Sequence, residues 1–125
     1  MGALLKQVMN KAGTLIRCDF EGGGCHFYFW CPGCKRVQLF NVGQTNSNGA
    51  KWDFNGNFEC PSFTPSLRYV GGPTGTLCHV VLTDGILNYC NDNPHACNNQ
   101  KIPLPKIPDD ELADWWFTSV PIERL

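Results

Sequence analysis

The 125-residue chain fits one domain, and a second independent core is expected to be hard to fill. With 42% apolar and 12% aromatic residues it is not a disordered chain. A net charge of -1, with 17% charged residues, gives no field to draw it to nucleic acid or an anionic membrane. One domain over residues 1–125 is expected, with its core in 13–105.

In chain order, residues 2–10 can form a short helix, marginal on its own. Gly13 to Phe20 reads as a first strand, followed by a turn at Glu21–Gly24. Cys25 to Trp30 is a dense aromatic run, expected as a strand buried on both faces. Arg36 to Val42 alternates as its partner, and residues 43–50 form a polar loop. Trp52 to Phe58 suggests a short hairpin around Asn55-Gly56, a pair that favours a type I′ turn. Ser62 to Val70 is extended, with Pro65 pushing it to a sheet edge. Leu77 to Thr83 and Ile86 to Cys90 flank Asp84-Gly85, the strongest hairpin signal in the chain. Lys101 to Pro108 carries three prolines and cannot join a central strand. A helix over about 109–117 is expected, capped by Asp109, with Leu112, Trp115 and Trp116 on its apolar face. The fold class is α+β and β-rich: a small antiparallel sheet, a CxxC zinc knuckle and a C-terminal helix.

Residues 1–15 hold only short apolar pieces broken by Lys6, Asn10 and Lys11, so neither an export signal nor a membrane span is read there. A cytoplasmic location is expected. Eight cysteines in such a chain are better read as metal thiolates than as disulfides. Cys31-Pro-Gly-Cys34 turns two sulfurs toward one ion: Pro32 presets the turn, and Gly33 lets backbone amides approach the sulfurs. A two-residue turn at Asp84-Gly85 pairs Thr83 with Ile86 and hence His79 with Cys90, so these two share one face. Cys78 then points the other way unless a bulge intervenes. His95 is close enough to fold back. The expected zinc sphere is Cys31 and Cys34, completed by two of His79, His95, Cys90 and Cys78.

The remaining cysteines, Cys18, Cys25, Cys60 and Cys97, are expected as small buried hydrophobes. His26 is expected as a hydrogen-bonded core or surface residue. Asp92 reads as a loop residue bonded to its own backbone. No Ser/His/Asp order and no phosphate loop stands out. Without His-Glu-x-x-His or a deaminase His-x-Glu, a structural zinc is favoured over a catalytic one.

The order Cys25-His-Phe-Tyr-Phe-Trp-Cys-Pro-Gly-Cys34, Trp52-Asp-Phe-Asn-Gly56, Pro61-Ser-Phe-Thr-Pro-Ser66, Cys78-His79, Asp84-Gly85 and His95-Ala96, then Gln100 leading to Leu104-Pro105, resembles the DUF6527 family of small phage and prophage proteins. The resemblance implies a compact zinc-binding domain with Cys31, Cys34, Cys78, His79 and His95 in the metal region. Many members place a cysteine where this chain has Asn93. The label "ammonia monooxygenase", carried by some members, describes a membrane copper enzyme and does not suit a thiolate-rich site. Some relatives occur beside bacterial ubiquitin-like conjugation genes.

The function expected from the sequence is a zinc-stabilised, non-enzymatic binding module, such as a phage accessory protein, that contacts a host or viral protein. Neither a membrane nor nucleic acid is expected as a partner. The rivals are a zinc-dependent hydrolase or deaminase-like enzyme and a CxxC thiol redox protein.

Overall fold

A computed structural model describes residues 3–43, 45–46, 49–73 and 75–125. The chain forms a five-stranded and a four-stranded sheet, with a two-residue ladder between them in sequence. The first strands are β1 (Leu4–Met9), β2 (Leu15–Phe20), β3 (Cys25–Cys31) and β4 (Arg36–Val42). They pair antiparallel in chain order.

Residues 4–9 are a strand, and the short helix expected over 2–10 does not form (residue 2 lies outside the described residues). The cause is a non-local partner. The side-chain amide of Gln7 is fully buried and donates to the carbonyls of Phe117 and Val120. β1 also pairs in parallel with the last strand, contributed by Ile122–Arg124. A helix would bury that amide without partners.

β3 is buried on both faces, as its composition leads one to expect. Phe27, Phe29 and Cys31 point into a large core shared with the second sheet. Tyr28, one step out of phase, points into a second cluster with Ile16, Cys18, Ile107 and Phe117. Period-two alternation thus serves two cores at once.

β5 (Asp53–Phe54) pairs with β6 (Phe63–Thr64), so the hairpin spans a wide loop and does not turn at Asn55-Gly56. The loop holds itself by side chains: Asn55 accepts from the Asn57 amide, and Asn57 accepts from the amides of Glu59 and Cys60. These local bonds displace the tight turn. Phe63 is 1% exposed, with its ring 4.6 Å from Phe40, 4.8 Å from Phe54 and 5.0 Å from Phe27 between centroids. Phe63→Ala is expected to cost about 3–5 kcal/mol, read as a lowered urea midpoint.

The second sheet contains β7 (Leu67–Val70), β8 (Thr76–Thr83), β9 (Ile86–Tyr89) and β10 (Lys101–Pro103), in the spatial order β10-β9-β8-β7. β7 lies at an edge, as Pro65 predicts, and the proline-bearing β10 takes the opposite edge. The β8–β9 register is Thr83 with Ile86 and Val80 with Tyr89, fixed by Asp84 at φ 51° and Gly85 at φ 73°.

The C-terminal helix is shorter than expected. It splits into a 3-10 turn (Glu111–Ala113) and a four-residue α1 (Trp115–Thr118), before β11 (Ile122–Arg124). Asp114, not Asp109, caps α1 by accepting the Trp116 amide. Phe117 is the buried residue, whereas Trp115 is 73% exposed. No described helix is long and apolar enough to cross a membrane.

Candidate functional site

Two neighbouring residues of β8, Cys78 and His79, lead to two different sites. Along an antiparallel strand the side chains alternate between faces. Cys78, Val80 and Leu82 are fully buried in the large core, so His79 and Val81 take the outer face.

On the inner face, Cys31, Cys34, Cys78 and His95 each bring one ligand atom within 4.8 Å of the others. Cys31 ends β3, and Cys34 lies in the turn to β4, whose first pair is Cys31 with Arg36. The Cys31 and Cys78 sulfurs are 3.8 Å apart. The Cys34 amide donates to Cys31 Sγ at 3.3 Å, and the Tyr89 hydroxyl lies 3.1 Å from the same sulfur. A hydrogen bond from Cys78, with further help from Tyr89 against the cost of burial, lowers the Cys31 thiol to about 5. The same bond, reinforced by burial, pushes Cys78 upward, and burial raises Cys34.

Gly33 has a different role from the one its turn suggests. A Cβ there would lie 2.6 Å from His95 Cε1, so only glycine admits the imidazole beside the thiols. Gly33→Ala is expected to displace His95 and weaken metal retention, measured as faster loss of the ion to a chelator. Among the described residues His95 Nε2 is buried with no hydrogen-bond partner, and coordination to an ion would satisfy it. Three thiols and an imidazole with an orphaned nitrogen can hold a metal ion.

His79 and Cys90 do share a face, and the Cys90 amide donates to the His79 carbonyl at 3.0 Å. That face is the outer one. There the two residues meet Asp92, not Cys31 and Cys34. His79 Nε2 lies 3.0 Å from Ser66 Oγ, and His79 Nδ1 lies 3.0 Å from Asp92 Oδ1. Ser66 directly precedes β7, and β7 pairs Arg68 with His79. Residues 66 and 68 therefore lie on the outer face with His79. Asp92 follows β9 in a loop.

The positions are held from several sides. The Asn93 side chain accepts the His79 amide at 2.7 Å and donates to the His79 carbonyl at 2.9 Å and the Cys90 carbonyl at 2.8 Å. Arg68 donates to the Thr76 hydroxyl at 2.8 Å, and that hydroxyl donates to Asp92 Oδ2 at 3.5 Å. Desolvation works to raise the Asp92 carboxyl, but the His79 ring and the Arg68 charge outweigh it and hold the carboxyl below its ordinary value. The Trp52 indole donates to the Ser66 carbonyl at 3.1 Å.

Asn93→Ala removes the clamp on the His79 backbone. It is expected to cost about 1–3 kcal/mol in stability and to slow any reaction that uses His79. Thermal denaturation reads the first effect, and labelling of Ser66 by an electrophile reads the second.

Sequence reasoning did not single out Ser66, read Asp92 as a loop residue, and offered His79 as one of four candidates to complete the zinc sphere; the structure places His79 apart from Cys31 and Cys34. Among the other cysteines, Cys18, Cys25 and Cys97 are buried as expected, but Cys60 is exposed. All eight are free of disulfides. His26 packs its ring 4.7 Å from Phe20, a core-edge role.

The family described as bacterial ubiquitination-like system serine protease (BubE) matches residues 4–90, more than half of the chain. The chain belongs to the BubE family. Ser66, His79, Cys31, Cys34 and Cys78 lie within the match, whereas Asp92 and His95 lie just beyond it. No curated protein and no solved structure matches the chain.

Proposed function

We propose that this BubE-family protein is a serine hydrolase that cleaves a peptide or isopeptide bond in a bacterial ubiquitination-like system. The observation that carries the reading is the continuous hydrogen-bonded line Ser66 Oγ, His79 Nε2, His79 Nδ1, Asp92 Oδ1, with both gaps at 3.0 Å. The family description points to the same reaction class.

In this reading Ser66 is the nucleophile. Its Oγ attacks the carbonyl carbon while the hydroxyl proton passes to His79 Nε2. Asp92 accepts a hydrogen bond from Nδ1–H, which fixes the tautomer that leaves Nε2 basic, and it stabilises the imidazolium that forms. His79 returns the proton to the leaving amine as the C–N bond breaks. Water then cleaves the acyl ester by the same steps, with His79 again as base. The chain order Ser66, His79, Asp92 is immaterial, because such triads are defined by geometry.

The second component is a CxxC zinc knuckle, in which Cys31, Cys34, Cys78 and His95 would hold Zn²⁺. Thiolate-rich four-coordinate sites suit zinc and leave no open position, so the ion would be structural. It would tie the β3–β4 turn to β8 and so fix the strand that carries His79. Elemental analysis should find one zinc per chain retained by the purified protein.

The substrate chain would lie along the β7 edge. A groove of about 890 Å³ runs there, lined in part by Trp52, Arg68, Val70 and Leu77 together with Cys34 and His95; it lies beside Ser66, His79 and Asp92, which do not form its wall. Arg68 shares the face of Ser66, and Trp52 holds the Ser66 carbonyl. The same groove supports a second reading, a non-catalytic module that binds a protein, since Leu39, Val70 and Leu77 are exposed apolar residues.

A fluorophosphonate probe separates the two readings. An activated serine is expected to be phosphonylated at Ser66, mapped by mass spectrometry. An inert Ser66 in folded, metal-loaded protein would leave the binding module as the better account.

A further inference from the structure

Cys90 is a nucleophilic group that the hydrolytic mechanism does not use. It sits beside the triad, and one ligand atom from each of His79, Cys90 and Asp92 lies within 4.8 Å of the others. Its side chain is half-buried, next to an exposed carboxylate. The four-ligand thiol site lies on the opposite face of the sheet, because Cys78 and His79 alternate. These three donors are therefore a separate cluster.

The donor types select the ion. One thiol, one imidazole and one carboxylate suit Zn²⁺, which accepts all three and commonly takes three protein ligands plus water. Mg²⁺ and Ca²⁺ require oxygen ligands and gain nothing from Cys90. We infer that His79, Cys90 and Asp92 form a second zinc site, weaker than the first, through which excess Zn²⁺ switches off Ser66. The inhibitory part rests on the hydrolase reading, whereas the binding part stands without it.

Inhibition follows from which groups the ion takes. A cation held by His79 uses an imidazole lone pair, so the ring no longer accepts the Ser66 proton. An Asp92 carboxylate turned to the metal no longer fixes the ring tautomer. The site is weaker because it has three protein donors rather than four, and because binding breaks the His79–Asp92 hydrogen bond. The Cys90 proton is released to solvent on binding, and no redox change is involved.

The test uses protein carrying one equivalent of zinc in the four-ligand site. The rate of fluorophosphonate labelling at Ser66 is measured with and without buffered excess Zn²⁺, for the native chain and for Cys90→Ser, with Mg²⁺ as control. Calorimetry in parallel counts zinc equivalents bound. Excess zinc is expected to slow the native chain more than about tenfold, because the triad base is removed. A chelator of moderate affinity should restore the rate, while Cys90→Ser should keep its basal rate and resist inhibition. Equal slowing of both proteins, or none in either, overturns the inhibitory site. If Ser66 is unlabelled even without excess zinc, the hydrolase reading fails and calorimetry decides the rest. A second equivalent bound by the native chain and absent in Cys90→Ser upholds the site; one equivalent in both overturns it.

Discussion

Ser66→Ala is expected to abolish hydrolysis and probe labelling, by on the order of 10⁴–10⁶-fold, while leaving the fold intact. The fold survives because Ser66 is only partly buried and its hydroxyl makes one hydrogen bond to His79, worth about 1 kcal/mol. Thermal denaturation should therefore move by only a few degrees while the rate collapses. Asp92→Asn provides the sharper control. It keeps shape and volume but offers His79 an amide, which no longer enforces the Nδ1–H tautomer. A loss approaching that of Ser66→Ala is expected. If Asp92→Asn leaves the rate within a few-fold of native, Asp92 is a loop residue after all, and the 3.0 Å contact has no catalytic meaning. If Ser66→Ala retains the rate, the nucleophile lies elsewhere.

The double use of β8 shows where sequence reasoning succeeds and where it stops. The register of β8 against β9 was legible from Asp84-Gly85, and the expected pairing of Thr83 with Ile86 is the observed one. That His79 and Cys90 share a face followed from the same count. What the turn does not specify is which face looks inward. The alternation nevertheless held a clue. Cys78 runs in phase with Val80 and Leu82, whereas His79 runs in phase with Thr83; on β9, Cys90 runs in phase with Asn88. The outer phase is the one with His79, Thr83 and Asn88, although it also holds Leu77 and Val81, so the clue places His79 and Cys90 outside and Cys78 inside only by a narrow margin.

Other features were beyond local pattern. Ser66 meets His79 only because β7 docks on β8, and Ser66 itself carries no motif. β1 is a strand because Gln7 finds carbonyls more than 100 residues away. Pairings of that range leave no periodic trace in a six-residue segment. Helix propensity at the C-terminus also lost to tertiary context, since burying Phe117 against Tyr28 takes precedence over a continuous helix.

Removing the inner metal site is expected to have a different signature from removing the triad. Cys78 is fully buried beside Cys31, and Cys78→Ala deletes one of four donors. A structural zinc contributes roughly 10–16 kcal/mol of apparent binding energy in small domains, comparable to a whole domain's stability of about 5–15 kcal/mol. Cys78→Ala is therefore expected to lose the ion and to melt far below the native protein, or to be unfolded at room temperature. A strong chelator should do the same to the native chain. Cys90→Ser, one strand away on the other face, should retain both fold and ion. On the proposed hydrolase reading the rate is expected to fall in Cys78→Ala as well, but only in step with the folded fraction, whereas in Ser66→Ala it is expected to fall with the fold unchanged. A chelated or Cys78→Ala protein that keeps its native melting temperature would show that the four-residue cluster holds no structural ion. His79 would then be positioned by β8 pairing and Asn93 alone, and the outer site would owe nothing to the inner one.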